Sequence, residues 1–278
     1  MERARPVGFI SNTFSKRNRE LLRELVKTDF KLRYQGSVIG YTWSLLKPIM
    51  LFAIMYVVFV NFLKFGQGIP HYTIILLLGI VMWTFFMEAT GQGMQAIVGR
   101  GDLIRKIKFP KYIIVISSTV SALINLLLNL LVVFVFMLFD GVHFGWSALL
   151  FPVSILILYV FSLSLAFLLS AIYVKYRDIA PIWEVATQAL FYGTPIIYPL
   201  QMVIAHSLVA AKILMLSPIA MIFQNARMQL IGGTNTITTD QILGHPIYLL
   251  IPYGIIVITG VLAALYFKKS QKTFAENL

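Results

Sequence analysis

The chain has 278 residues, 59% hydrophobic and 12% charged, with a mean hydropathy of +0.83. A soluble globular domain is about 45–50% apolar and about 25% charged, so lipid is the solvent for most of this chain. The absence of cysteine excludes disulfides and thiolate metal sites, and the net charge of +12 is divided into blocks between apolar runs, which excludes a continuous nucleic-acid-binding surface.

The first 41 residues are polar and basic and lack the apolar run of a cleavable signal peptide. Within them Leu21, Leu22, Leu25, Val26 and Phe30 recur at helical spacing among Arg19, Arg23, Lys27, Lys31 and Arg33. The pattern predicts a basic amphipathic helix, lying in the inner membrane interface or packed on a cytosolic partner. Apolar blocks follow at 42–63, 72–98, 112–138 and 147–174, with a last one at 246–267. Each is long enough to span a bilayer. A fifth block starts near Ala180 and is short, because it meets Gly193-Thr194-Pro195-Ile196-Ile197-Tyr198-Pro199. Its two prolines remove two amide donors and kink or break a helix. Apolar stretches at 200–216 and 219–231 come next, separated by Ser217-Pro218.

Charge sets the expected topology. All but four of the 23 Lys and Arg lie in segments 1–41, 99–112 and 175–179 and in the tail from 268. The exceptions are Lys47, inside the first block, and Lys64, Lys212 and Arg227 in the intervening connections. The positive-inside rule therefore places both termini in the cytoplasm, which requires an even number of crossings. Residues 193–245 are then external or re-entrant, the alternative being a proline kink in one tilted helix. Non-helical backbone at that depth must be buried or line a cavity, which makes the break a candidate for the pathway. The expected fold is an all-α polytopic membrane protein of one domain. It has an interfacial segment at 1–41, six transmembrane helices within 42–267, a re-entrant outer segment between the fifth and sixth, and a tail at 268–278.

Motifs of catalysis are missing. There is no Gly-x-x-x-x-Gly-Lys-Ser/Thr loop for ATP, no Gly-x-Ser-x-Gly and no His-Glu-x-x-His, and the four histidines lack metal-ligand spacing. The expectation is a chain with no catalytic residue, metal site or cofactor of its own. Glu88, deep in the second block, and Lys47, near the inner end of the first, are ionisable groups inside the membrane. They form a structural ion pair or mark a proton or substrate site. Trp43, Trp83, Trp146, Trp183 and Tyr253 lie near span ends, as belt residues at the lipid–water boundary or as faces for a sugar pathway. Gly36/Gly40 and Gly91/Gly93 offer close helix approach. The basic segment at 99–111 carries Leu103, Ile104, Ile107 and Phe109 at helical spacing and closes on Pro110. It suits docking into a partner's groove, with attraction to anionic lipid as the alternative.

Four stretches resemble the ABC-2 type permeases of bacterial polysaccharide and polyol-phosphate exporters. They are Arg33-Tyr34-Gln35-Gly36-Ser37-Val38-Ile39-Gly40-Tyr41-Thr42-Trp43-Ser44-Leu45-Leu46-Lys47-Pro48, Leu103-Ile104-Arg105-Lys106-Ile107-Lys108-Phe109-Pro110, Tyr176-Arg177-Asp178-Ile179 and Thr194-Pro195-Ile196-Ile197-Tyr198-Pro199. They occur in the family's order over nearly the whole chain, with Ile39 where leucine is commoner.

The resemblance implies a type V exporter-like transmembrane domain. It implies a homodimer of this subunit with two separate ATPase subunits, which bind the ATP and Mg. Asp102, Leu103, Ile104, Arg105, Lys106, Ile107, Lys108, Phe109 and Pro110, with Arg177 and Asp178, would form the joint to the ATPase. The cargo would be a polymer on an undecaprenyl diphosphate carrier, moved from the inner to the outer leaflet of the bacterial cytoplasmic membrane. General likeness leans to wall teichoic acid, with O-antigen, capsule and ABC-2 drug or lipid export as alternatives. Arg33 and Lys47 would capture the diphosphate, unless they are snorkelling anchors. Tyr34, Tyr41, Trp43, Tyr56, Tyr192 and Tyr198 would guide lipid or sugar. A secondary carrier would show breaks in both halves of the chain, and a membrane-embedded enzyme would show a catalytic constellation; the sequence has neither.

Overall fold

The computed structural model describes residues 16–34, 40–107, 109–143, 145–232, 237 and 239–277. Among them every regular element is a helix. Five helical stretches are long and apolar enough to cross a membrane: Trp43–Phe62, Tyr72–Ala96, Tyr112–Phe139, Trp146–Lys175 and Ile247–Ser270.

Helix α1 (Lys16–Tyr34) is the predicted amphipathic helix. Leu21, Leu22, Leu25 and Val26 are half-buried, while Arg19, Arg23 and Lys27 stay exposed. The surface it packs on is the chain's own α5 (Tyr112–Phe139). Helix α2 (Trp43–Met55) contains Pro48 and runs on as a π-helix over Tyr56–Phe62. A π stretch widens the turn, and its end is closed by Leu63 N donating to Val58 O at 2.9 Å and Phe65 N to Phe59 O at 2.7 Å.

Helix α3 (Tyr72–Ala96) is the axis of the molecule. Its apolar residues go all the way round, and 16 of its 25 residues are buried, whereas the α2 span buries only Ser44, Pro48 and Phe52. It packs on α5, α6 (Phe151–Lys175), α7 (Ile179–Gly193) and α10 (Pro218–Ile231). Apolar side chains gain little by leaving lipid, so close packing and hydrogen bonds hold these helices together. At Gly93 a Cβ would stand 2.5 Å from the Ala166 Cβ, so glycine lets α3 and α6 touch. Gly36 lies outside the described residues, and Gly91 faces open space. An aromatic cluster fills the middle: Trp83 lies 5.3 Å from Phe86 and 5.5 Å from Phe191. Phe86 also lies 6.3 Å from Phe161. Several hydroxyls buried in the spans turn back on their own helix, as Thr90 does to Phe86 O at 2.7 Å and Ser121 to Ser117 O at 2.9 Å, while Ser154 of α6 donates to Gln229 Oε1 of α10 at 2.7 Å.

Helix α4 (Gly101–Lys106) is shorter than its apolar spacing predicts, since Ile107 is already extended. The fifth block gives α7, whose 15 residues make about 22 Å of helix at 1.5 Å per residue, too short to span alone. Beyond the break, 200–216 forms two helices, α8 (Leu200–His206) and α9 (Leu208–Met215). Ser207, extended, separates them and caps α9 by accepting from Ala210 N at 3.2 Å. Helices α9 and α10 meet at 97°, a bend that fits either a broken span or a re-entrant segment. Helices α11 (Thr239–Leu243), α12 (Leu250–Ser270) and α13 (Phe274–Asn277) complete the chain.

Candidate functional site

The residues singled out in the sequence gather in three places. The first is a cavity of about 450 Å³ between α2, α3 and α7. Lys47, Trp83, Thr84, Glu88, Thr187, Gln188 and Tyr192 line it with apolar neighbours. Lys47 is exposed, and Glu88 is half-buried. The Glu88 carboxylate accepts from Asn125 Nδ2 on α5 at 3.1 and 3.4 Å, a partner that the sequence reading did not supply. Lys47 and Glu88 thus share one cavity, and Asn125 orients the carboxylate. Tyr192 is exposed and rests edge-on against Phe191 at 5.3 Å. Trp43 is exposed near the start of α2, and Tyr56 packs half-buried on Phe52 at 5.9 Å. The side chains of Arg33, Tyr34 and Tyr41 lie outside the described residues, as does Lys108.

The second place is the break after α7. Thr194, Ile196 and Ile197 are buried, and so is Pro195. Non-helical backbone inside the protein needs partners for its carbonyls. Arg227 of α10 supplies two of them, donating to Pro195 O and, at 2.9 Å, to Ile196 O. Tyr72 at the head of α3 donates to Ile197 O. Gly79 gives the guanidinium room, since a Cβ there would lie 3.0 Å from Nη2. Tyr198 donates to Tyr192 O at 3.0 Å, tying the break back to the helix it ends. Arg227 had counted only as a charge in an outer connection, yet it is 3% exposed. Its position among the apolar residues of Pro218–Ile231 was the available signal.

The third place is the basic end. Ile104 is 7% exposed and belongs to a cluster with Ile97, Ile114, Val174, Phe267 and Phe274, so it faces the chain's own core. Ile107 is 50% exposed. The outward face of the segment is therefore Asp102, Arg105, Lys106 and Ile107, while Leu103, Phe109 and Pro110 are half-buried. The expectation that Ile104 presents a docking surface is corrected: the helix stops at Lys106 and turns its apolar side inward.

Arg100 anchors this end. It donates to Asp29 of α1 and, at 2.9 Å, to Ser117 Oγ of α5. Burial pushes its guanidinium below the ordinary pKa. Burial likewise lowers Lys111, whose Nζ donates to Gln271 O at 2.7 Å and lies 5.5 Å from the Phe274 ring. Arg177 and Asp178 are exposed after α6, with Arg177 over the Tyr173 ring at 5.1 Å. Among the described residues no group of three or more His, Asp or Glu is placed to hold a metal.

This architecture, a bundle of apolar helices with a short basic joint at one end and a broken helical segment at the other, defines a multi-pass membrane protein. The family model described as ABC-2 type transporter matches residues 20–231, and the chain belongs to that family. It is 30% identical over 262 residues to the O-antigen export system permease protein RfbA of Myxococcus xanthus, covering 94% of this chain and 96% of the relative. Two proteins of the same description from Klebsiella pneumoniae are also similar. One is 27% identical, covering 93% of this chain and 95% of the relative; the other is 28% identical, covering 66% and 71%.

Proposed function

We propose that this chain is the permease subunit of an ATP-driven exporter. Its cargo is a cell-surface polysaccharide carried on undecaprenyl diphosphate, moved from the inner to the outer leaflet of the bacterial cytoplasmic membrane. The observation that carries the reading is the cavity between α2, α3 and α7. It combines a cation at Lys47, hydrogen-bonding groups at Thr187 and Gln188, and aromatic faces at Trp83 and Tyr192. A cation suits a diphosphate, and aromatic faces with amide and hydroxyl groups suit sugar rings. Arg33, Tyr34, Tyr41, Trp43, Tyr56 and Tyr198 are assigned to the same route. The relatives' descriptions favour an O-antigen type of polymer over the teichoic acid suggested by general likeness.

The working assembly is a homodimer bound to two ATPase subunits, which hold ATP and Mg. The α2 span buries only Ser44, Pro48 and Phe52, and α7 buries only Thr187, so these two helices leave a broad face for a second copy. The basic end lies in the cytoplasm. Helix α7, continued by the break, makes the fifth crossing in chain order, and α8, α9 and α10 stay in the outer half. Asp102, Arg105, Lys106 and Ile107, with Arg177 and Asp178, meet the ATPase.

The reading is tested by reconstituting the chain with its ATPase in liposomes. Adding lipid-linked polymer is expected to stimulate ATP hydrolysis, and Lys47→Gln to reduce that stimulation severalfold. Stimulation unchanged by Lys47→Gln, or no response to any lipid-linked polymer, overturns it.

A further inference from the structure

The end of the molecule opposite α4 holds a second cavity, of about 290 Å³, that the transport route does not use. It is small for a ligand site, near the bottom of the ~300–1,000 Å³ range, so it admits a compact group rather than a chain. Four elements meet there: the segment before α3, the turn after α5, the start of α8 and the second half of α10. Their polar contributions are His71, Tyr72, His143, Gln201, Gln224 and Arg227.

The electrostatics of this wall are one-sided. Arg227 is buried, its two terminal nitrogens are committed to the Pro195 and Ile196 carbonyls, and its Nε has no partner. Among the described residues no carboxylate forms an ion pair with it. Of the carboxylates at this end, Asp140 is engaged by His71 Nδ1 at 2.6 Å, and Asp240 on α11 does not line the cavity. Gln224 Nε2 is turned away to Ile237 O at 2.8 Å, and His143 Nδ1 is held by Gly141 O at 2.9 Å. Carbonyl dipoles offset only part of the cost of burying a full positive charge. Low-dielectric walls focus the remaining field into the adjoining cavity. A negative group placed there completes the compensation.

We propose that this cavity is an anion site for a phosphate-class group. Arg227 supplies the fixed charge, and His143 and Gln201 supply contacts at the wall. The group is a soluble phosphate or the phosphate of a lipid headgroup, and both present the same chemistry. The assignment stands on the cavity and its charge alone, whatever the cargo of the α2–α3–α7 route.

The test uses the full-length chain in nanodiscs of phosphatidylcholine, with methyl phosphate titrated by calorimetry. Saturable binding at one site per chain is expected. His143→Ala and Gln201→Ala should each weaken it about tenfold, the worth of one hydrogen bond to a charged group. Lys212→Ala, a cation that does not line the cavity, should leave it unchanged. Melting temperatures equal to the parent's verify that the variants are folded. Repeating the titration in phosphatidic acid nanodiscs separates the sources. Affinity for methyl phosphate that falls in the parent but not in the variants identifies the lipid headgroup, and unchanged affinity identifies soluble phosphate; either supports the site. No saturable binding, binding unaltered in both variants, or methyl glucoside binding as well as methyl phosphate overturns it.

Discussion

Arg227 shows how one residue holds a broken helix inside a protein. The break exposes three successive carbonyls, and Arg227 and Tyr72, from two different helices, satisfy them. Replacing Arg227 by methionine keeps the bulk and removes the donors, leaving two buried acceptors unpaired. The expected cost is about 2–6 kcal/mol, at 1–3 kcal/mol for each. Thermal unfolding in detergent should show a lowered Tm, with partial recovery in Arg227→Lys, whose ammonium satisfies one acceptor. A Tm equal to the parent's would mean that the carbonyls find other partners. Glu88 teaches a related lesson. Its depth in an apolar block marked it as a residue that needs a partner, but only the packing of α3 on α5 identifies Asn125.

At the scale of elements, the joint at the basic end is a composite. Helix α4 has six residues and cannot be stable alone. It is held because Ile104 enters a cluster shared with Phe267 of α12 and Phe274 of α13. The carboxyl-terminal tail thereby clamps the segment assigned to the ATPase. Truncating a buried phenylalanine to alanine costs about 3–5 kcal/mol. Phe274→Ala is expected to loosen α4 first, seen as faster amide exchange across 101–107 than across α3. Exchange rising equally in both would assign Phe274 to global stability instead. The apolar spacing of Leu103, Ile104, Ile107 and Phe109 was legible in the sequence. Its orientation was not, because spacing defines a face without saying whether that face meets a partner or the chain's own core.

At the scale of the whole molecule, the apolar blocks and the positions of Lys and Arg give the spans and an orientation. The chain lacks cysteine, so single substitutions test that orientation cleanly. Asp102→Cys and Lys272→Cys should react with an impermeant maleimide only in inverted vesicles, and Gln67→Cys and Asp240→Cys only in intact spheroplasts. Labelling of Lys272→Cys from outside would mean an odd number of crossings.

The sequence by itself determined that the chain is helical and membrane-embedded, where its five long spans begin and end to within a few residues, and that the block starting near Ala180 is interrupted. These properties follow from local composition and from amide donors that proline lacks. Only the tertiary structure decided that Phe86 of α3 meets Phe161 of α6 beside Trp83, and that Lys47 and Glu88 share a cavity with Gln188 and Tyr192. It alone placed Arg227 of α10 inside the protein, holding the break. Such contacts join residues far apart in the chain, and in lipid every helix face is apolar whether it meets a neighbour or the bilayer.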